Sequence, residues 1–184
     1  MADIMTIMEK MSPHYKKKVV VPWVTARRWV EPSMINSTVL AGAIFGMNMT
    51  IAYPPGFDPD PKYMDEARRQ AKESGATIET TNNLDEACEN ADVILSTYWD
   101  KISPTGEGID RDEYEKLRES LSGWRIDKKH FDIAAKSAIF MNCMLLQRGM
   151  SATAEVIDGP MSVLYDEAEN RLHTEKTILA LTMG

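Results

Sequence analysis

Lys16-Lys17-Lys18-Val19-Val20-Val21-Pro22-Trp23-Val24 passes from three cations into an unbroken apolar, mostly β-branched tract. A strand with one wet face alternates apolar and polar side chains. A tract that is apolar at every position therefore reads as a strand covered on both faces, as in a parallel sheet. Downstream, an irregular stretch from Thr25 to Pro32 gives way to helical periodicity over Ser33 to Met47. A second strand then reads over Asn48 to Tyr53, stopped by Pro54-Pro55-Gly56. Asp58-Pro59-Asp60-Pro61 is a helix-entry signal for Lys62 to Ser74, which Gly75 ends, and Ala76 to Glu79 makes a third strand. Asn83 caps a short helix over Leu84 to Glu89 that feeds the strand Ala91 to Leu95.

The alternation continues with helices at Arg111 to Leu121 and Asp127 to Lys136, a last strand at Ser137 to Met141, and a turn at Ile157-Asp158-Gly159-Pro160. A long helix follows over Val163 to Leu181. Upstream, Ile4, Met5, Ile7, Met8 and Met11 fall at helical spacing, giving an amphipathic opening helix over Ala2 to Met11. Together these predict an α/β fold: a doubly wound, mostly parallel, Rossmann-like sheet flanked by helices. The chain is expected to be one domain over residues 1–184, with a first helix (1–14) and a last helix (163–184) that protrude. The segment Ser96 to Gly108 has little periodicity and carries Pro104, Gly106 and Gly108, a long loop beyond the end of a buried strand. That is where open α/β sheets bind ligands.

A length of 184 residues suits a single core, and 43% hydrophobic with 27% charged residues is the balance of a folded chain. A net charge of -7 leaves no general basic field, which argues against nucleic acid or an anionic membrane as partner. No apolar run approaches the roughly 20 residues of a spanning helix, and Met1-Ala2-Asp3-Ile4 lacks a basic signal-peptide region. A cytoplasmic location is the expectation. Cys88 and Cys143 are too few for a disulfide framework, and neither stands in a Cys/His pattern with zinc spacing. The 13 methionines are scattered and read as adaptable core filling rather than metal ligands. No strand runs into Gly-x-Gly-x-x-Gly, and Thr25-Ala26-Arg27-Arg28 after the first strand does not offer a pyrophosphate the close backbone approach it needs.

Three stretches resemble the ornithine and aspartate carbamoyltransferase superfamily, ornithine type. Val156-Ile157-Asp158-Gly159-Pro160, followed by Asp166-Glu-Ala-Glu-Asn-Arg-Leu-His-Thr-Glu-Lys176, is similar to the family's C-terminal signature. Leu40-Ala-Gly-Ala-Ile-Phe-Gly-Met47 resembles the helix after the first strand of its second domain, and Ala2-Asp-Ile-Met-Thr-Ile-Met-Glu9 its interdomain helix. The resemblance implies transfer of a carbamoyl group from carbamoyl phosphate to an amine of an ornithine-like amino acid, with no metal or organic cofactor. It also implies a missing half, because the family's Ser-Thr-Arg-Thr-Arg phosphate loop occurs nowhere here.

By the same resemblance, Arg171 reaches carbamoyl phosphate from the last helix, where a guanidinium grips an oxyanion with two hydrogen bonds. On residue type alone, the lesser alternative is an exposed ion pair with Glu167, four residues earlier, and the surrounding signature weighs against it. His173 and Asn170, in the same signature, read as packing or hydrogen-bonding partners. Asn142-Cys143-Met144-Leu145 stands in place of the family's His-Cys-Leu-Pro. Cys143 is retained beside the amino acid and the carbamoyl group, unless it is simply a small buried hydrophobe. Asn142 replaces a histidine that polarises the carbamoyl oxygen, and an amide donates a hydrogen bond but is no general acid near neutral pH. Leu145 replaces a proline preceded by a cis bond, so a trans Met144–Leu145 bond and a shifted loop are expected. Met144, Leu145, Trp99, Arg27, Arg28, Ser33 and Asn36 are the expected substrate-binding set. The family's Asp-Gly-Asn-Asn is absent after the first strand and its Ser-Met-Gly loop after Trp99. The longer loop from Thr25 to Ser33 is closer to the acetyl- or succinylornithine branch.

Three readings of the whole protein stay open. The first is one subunit of a split carbamoyltransferase, with Met1 just past the family's domain junction and a separate carbamoyl-phosphate-binding chain as partner, in a homo- or hetero-oligomer built on trimers. The second is a non-catalytic binding or regulatory subunit of the same fold. The third is a piece of a longer enzyme.

Overall fold

The computed structural model describes residues 1–14, 16–26, 32–99, 111–143 and 146–183. Its elements in chain order are α1 (Ala2–Lys10), β1 (Lys18–Pro22), α2 (Ser33–Ile44), β2 (Asn48–Ala52), α3 (Pro61–Ser74), β3 (Ile78–Thr81) and α4 (Leu84–Cys88). They continue with β4 (Val93–Ser96), α5 (Arg111–Ser120), α6 (Lys128–Ile133), β5 (Ile139–Asn142), α7 (Ala154–Ile157) and α8 (Leu164–Met183).

Five strands form one sheet in the order β3-β2-β1-β4-β5, and every pairing is parallel. Successive side chains of β1 leave on opposite faces. Val19 and Val21 enter a core with Ile35, Val39, Met49, Ile51, Met64 and Ala67, while Val20 enters a second core with Leu84, Ala87, Cys88, Ile94 and Phe140. Helices α1, α2 and α3 cover the first face and α4 and α7 the second, the doubly wound arrangement expected. Burying one Val or Ile side chain in such a core contributes about 1.5–3 kcal/mol. Gly42 lets α2 lie close on the sheet, since a β-carbon there would collide with the Met49 side chain.

Observed boundaries differ from those read in the sequence by a few residues, and at β3, α2 and α6 a backbone hydrogen bond accounts for the shift. Asp60 caps α3 by accepting the Lys62 N–H at 2.9 Å, with Pro61 inside the first turn, and Gly75 closes it in the left-handed conformation. The Ala76 N–H is still spent on the Ala71 carbonyl, so β3 begins two residues later than expected. Helix α2 ends at Ile44 rather than Met47, because Gly46 turns left-handed (φ 74) and the Met47 N–H bonds back to Gly42. Helix α6 stops at Ile133 rather than Lys136, because the Ala135 N–H goes to the carbonyl of Ala91 and the Asn90 N–H to that of Ile133. Ile157, read as the start of a turn, closes the short helix α7.

The first and last helices meet each other. Asn170 of α8 donates from Nδ2 to Thr6 Oγ1 (3.0 Å) and Glu9 Oε2 (2.8 Å), and Lys10 pairs with Asp166 at 2.6 Å. Past this contact α8 presents Ile178, Leu179, Leu181 and Met183 to solvent, 50–81% exposed. Among the described residues no helix is long and apolar enough to cross a membrane.

His130, 1% exposed, joins α6 to α4. The Asp127 N–H points at its Nδ1 (3.1 Å), leaving the ring proton on Nε2, 3.2 Å from Asp85 Oδ1. Burial holds the imidazole below its ordinary value of 6.5, outweighing the pull of Asp127 and Asp85. The unfolded chain thus takes up a proton near 6.5 that the folded chain resists, so stability is full above that pH and declines as pH falls through it. His130→Ala is expected to cost about 2 kcal/mol in urea unfolding and to flatten this acid decline. An unchanged decline in the variant would assign it to other groups.

Candidate functional site

The order β3-β2-β1-β4-β5 reverses the direction of winding at β1, and a crevice opens beyond the carboxyl ends of β1 and β4. Thr25 and Ala26 follow β1 there, Thr97 follows β4, and Asn142 and Cys143 end β5. Alongside lies a cleft of about 330 Å³. One wall is the first turn of α1 with Asp3, a second is α2 with Ser37 and Thr38, and a third is α8 with Glu167 and Arg171. Cys143 also lines it. Two of the expected residues, Arg171 and Cys143, are thus brought into one cavity by elements far apart in sequence.

Arg171 is 57% exposed along its side chain, and its closest ionic partner is Glu175, at 3.8 Å and one turn further along α8, not Glu167. An exposed pair at that distance is worth little, so the guanidinium is available to a ligand. His173 and Glu169 form a similar loose pair at 3.6 Å, while Asn170 is spent on α1.

Cys143 lies 3.6 Å from the Thr97 hydroxyl. Burial pushes its thiol up, and the nearby carboxyls of Asp3 and Glu167 push the same way against the Thr97 contact. The sulfur is therefore a neutral thiol and not a nucleophile, which requires a thiolate. Asn142 is fully buried, and its Nδ2 donates to both the carbonyl (2.9 Å) and the hydroxyl (2.8 Å) of Ser96. The amide nitrogen is thus engaged by the strut between β5 and β4, which competes with the expected bond from this amide to a carbamoyl oxygen.

Trp99 differs from its expected place. It is 2% exposed, donates its indole N–H to the Phe57 carbonyl (2.9 Å), and accepts the Trp23 indole N–H at its own carbonyl (2.7 Å). It braces the strand ends from within the core and does not line the cleft. Ser33 is exposed and Asn36 buried on α2, and neither lines the cleft, whose α2 wall is Met34, Ser37, Thr38 and Ala41. Arg27, Arg28, Met144 and Leu145, with the Met144–Leu145 bond, lie outside the described residues.

The residues that sequence reading missed are Glu167 and Asp3. Glu167 is 2% exposed, its Oε2 accepts the Asn142 backbone N–H at 2.9 Å, and burial with Asp3 nearby raises its carboxyl to about 8. The available signal was its place four residues before Arg171, which puts both on one face of α8. Among the described residues no group of three His, Cys, Asp or Glu side chains is arranged to hold a metal ion.

The family profile described as aspartate/ornithine carbamoyltransferase, Asp/Orn binding domain, matches residues 28–182. An ornithine carbamoyltransferase of Methanothermobacter thermautotrophicus is 36% identical over 184 residues, covering 100% of this chain and 57% of the relative. The solved ornithine carbamoyltransferase of Pyrococcus furiosus superposes with a TM-score of 0.84 at 34% identity, covering 100% of this chain and 55% of its own. A crystal structure of N-acetyl-L-ornithine transcarbamylase superposes with a TM-score of 0.89 at 27% identity, covering 98% and 55%. The chain spans a little over half the length of these relatives.

The raised thiols give a direct check on the site. With Cys88 near 12 and Cys143 also raised, iodoacetamide near neutral pH is expected to label both at least about tenfold more slowly than a free thiol, the partly exposed Cys143 before Cys88. Mass spectrometry that found Cys143 labelled at the free-thiol rate would contradict this environment.

Proposed function

This chain belongs to the aspartate/ornithine carbamoyltransferase family as its Asp/Orn binding domain, and from that premise we propose that it is the amino-acid-substrate half of an ornithine-type carbamoyltransferase. A separate carbamoyl-phosphate-binding chain or domain completes it. The observation that carries the reading is the meeting of Arg171 and Cys143 in one cleft at the carboxyl end of the sheet.

In this reading the amine nitrogen attacks the carbamoyl carbon, the new C–N bond forms, and the bond from that carbon to the phosphate oxygen breaks, phosphate leaving with the electron pair. The nitrogen gives up its proton to solvent or phosphate. Such chemistry depends on positioning and on stabilising charge that develops on oxygen. Arg171 supplies the positive charge from this side, loosely held by Glu175 and free to swing. Neutral Cys143 offers a small apolar wall beside the reacting groups, and a bond from Asn142 to the carbamoyl oxygen is left out, its amide being engaged by Ser96.

The partner is supported by an apolar groove of about 580 Å³ beside the cleft, between α1 and α8. Met1, Ile4, Met5, Met8, Phe45, Ile178 and Leu181 supply its apolar lining. Covering such surface gains about 25 cal/mol per Å². Helices α1 and α8 are the interdomain elements of this proposal, and the whole is a cytoplasmic, trimer-based assembly. A non-catalytic subunit is the second reading, favoured by the commitment of the Asn142 amide.

The test is phosphate release from carbamoyl phosphate by the native assembly with a panel of amines, wild type against Arg171→Ala. Amine-dependent release that falls about 100-fold or more in the variant is the expected result. No release from an intact assembly supports the non-catalytic subunit, and release unaffected by the variant removes Arg171 from the site.

A further inference from the structure

Glu167 is buried on α8 one turn before Arg171, and its two oxygens have different fates. Oε2 accepts the Asn142 backbone N–H, while Oε1 is buried with no hydrogen-bond partner among the described residues. From α1, across the cleft, Asp3 turns a second carboxyl toward it. The groups facing Glu167 are therefore Asp3 on α1, Arg171 on its own helix and the Cys143 thiol past β5, and Arg171 is engaged outward with Glu175. Burial, with the Asp3 carboxyl facing it, keeps the Glu167 carboxyl protonated at modest pH. A proton on Oε1 turns an orphaned acceptor into a donor to Asp3 and satisfies both groups.

We propose that Glu167 is a positioning residue for the site. As a neutral acid it donates from Oε1 to Asp3 and ties the Asn142–Cys143 backbone to helices α1 and α8, fixing Cys143 relative to Arg171. Its effect on activity rests on the carbamoyltransferase reading; the clamp itself does not. Glu167 touches no cleft ligand through its bonded oxygen, which is spent on backbone, so it acts through the loop. Burial first, and Asp3 second, raise its carboxyl from 4.5 to about 8. A folded value above the unfolded one means the proton stabilises the fold fully below 4.5, and this contribution is lost as pH rises from there to about 8. Above that pH the two carboxylates repel and the clamp loosens.

Glu167→Gln preserves the shape and mimics the neutral acid permanently: its oxygen accepts the Asn142 N–H and its NH₂ donates to Asp3. Three readouts test the clamp. The Tm of Glu167→Gln relative to wild type is expected to be flat below pH 4.5, to rise between 4.5 and 8, and to level off above. Exchange of the Asn142 amide hydrogen is expected to quicken about tenfold in Glu167→Ala and in wild type above pH 8, after correction for intrinsic rates, but not in Glu167→Gln. In the native assembly, a fall in kcat above pH 8 is expected in wild type and absent in Glu167→Gln.

A Tm difference independent of pH, or equal Asn142 exchange in wild type and Glu167→Gln above pH 8, overturns the proposal. If Glu167→Ala does not fold, wild type and Glu167→Gln alone are enough to decide it. Failure of the transferase reading looks different: phosphate release is absent, while the Tm and exchange readouts behave as stated.

Discussion

Strand β1 is hydrogen-bonded along both edges and covered on both faces, and the rest of the molecule is arranged around that constraint. A backbone so placed has no water to turn to, so β2 and β4 must satisfy its polar groups, and helices must cover both sides. The chain builds outward from β1 through β2 to β3, then returns to lay β4 and β5 on the other edge. Two windings that part at β1 cannot both close over its carboxyl end. The crevice is therefore a consequence of the topology, and the residues that follow β1, β4 and β5 are delivered to it.

The second dependence is between the ends of the chain. The contact of Asn170 with buried Thr6 and with Glu9 at its rim fixes α1 on α8, while the half-exposed Lys10–Asp166 pair adds little. This contact makes the cleft, because Asp3 and Arg171 belong to helices that the sheet alone does not bring together. It also leaves a stripe of Met, Ile and Leu side chains on the outer side of both helices. The cleft and the apolar groove thus share the same two helices, so in the proposed reading a partner docked on the groove also sets the shape of the cleft.

Strand and helix identity were legible because apolar tracts such as Val19–Val21 have no other home than a doubly covered strand, and because Asp60, Asn83 and Gly75 are caps with a local mechanism. Boundaries shifted where a tertiary hydrogen bond competed, as when Ala91 drew Ala135 out of α6. The site was half legible. Arg171 and Cys143 came from a resemblance carried by three stretches that span almost the entire chain, and both line the cleft. Trp99 looked like a pocket residue because it stands where the resemblance puts a substrate loop, yet its indole N–H and its carbonyl are spent inside the core. Glu167 looked like a surface partner of Arg171, since helical spacing pairs residues but does not say which of them faces inward. Only the packing of α1 and β5 against α8 buries it and pairs it with Asp3.

The transferase proposal for this domain turns on the α1/α8 face being where a carbamoyl-phosphate-binding half completes it. Amide hydrogen exchange, compared between the isolated chain and the native assembly, reads that face residue by residue. Protection gained on assembly is expected to concentrate in α1 and in α8 from Arg171 onward, leaving α3 and α4 unchanged. Protection gained elsewhere, with α1 and the end of α8 exchanging as in the isolated chain, would place the missing half on another surface and contradict the proposal.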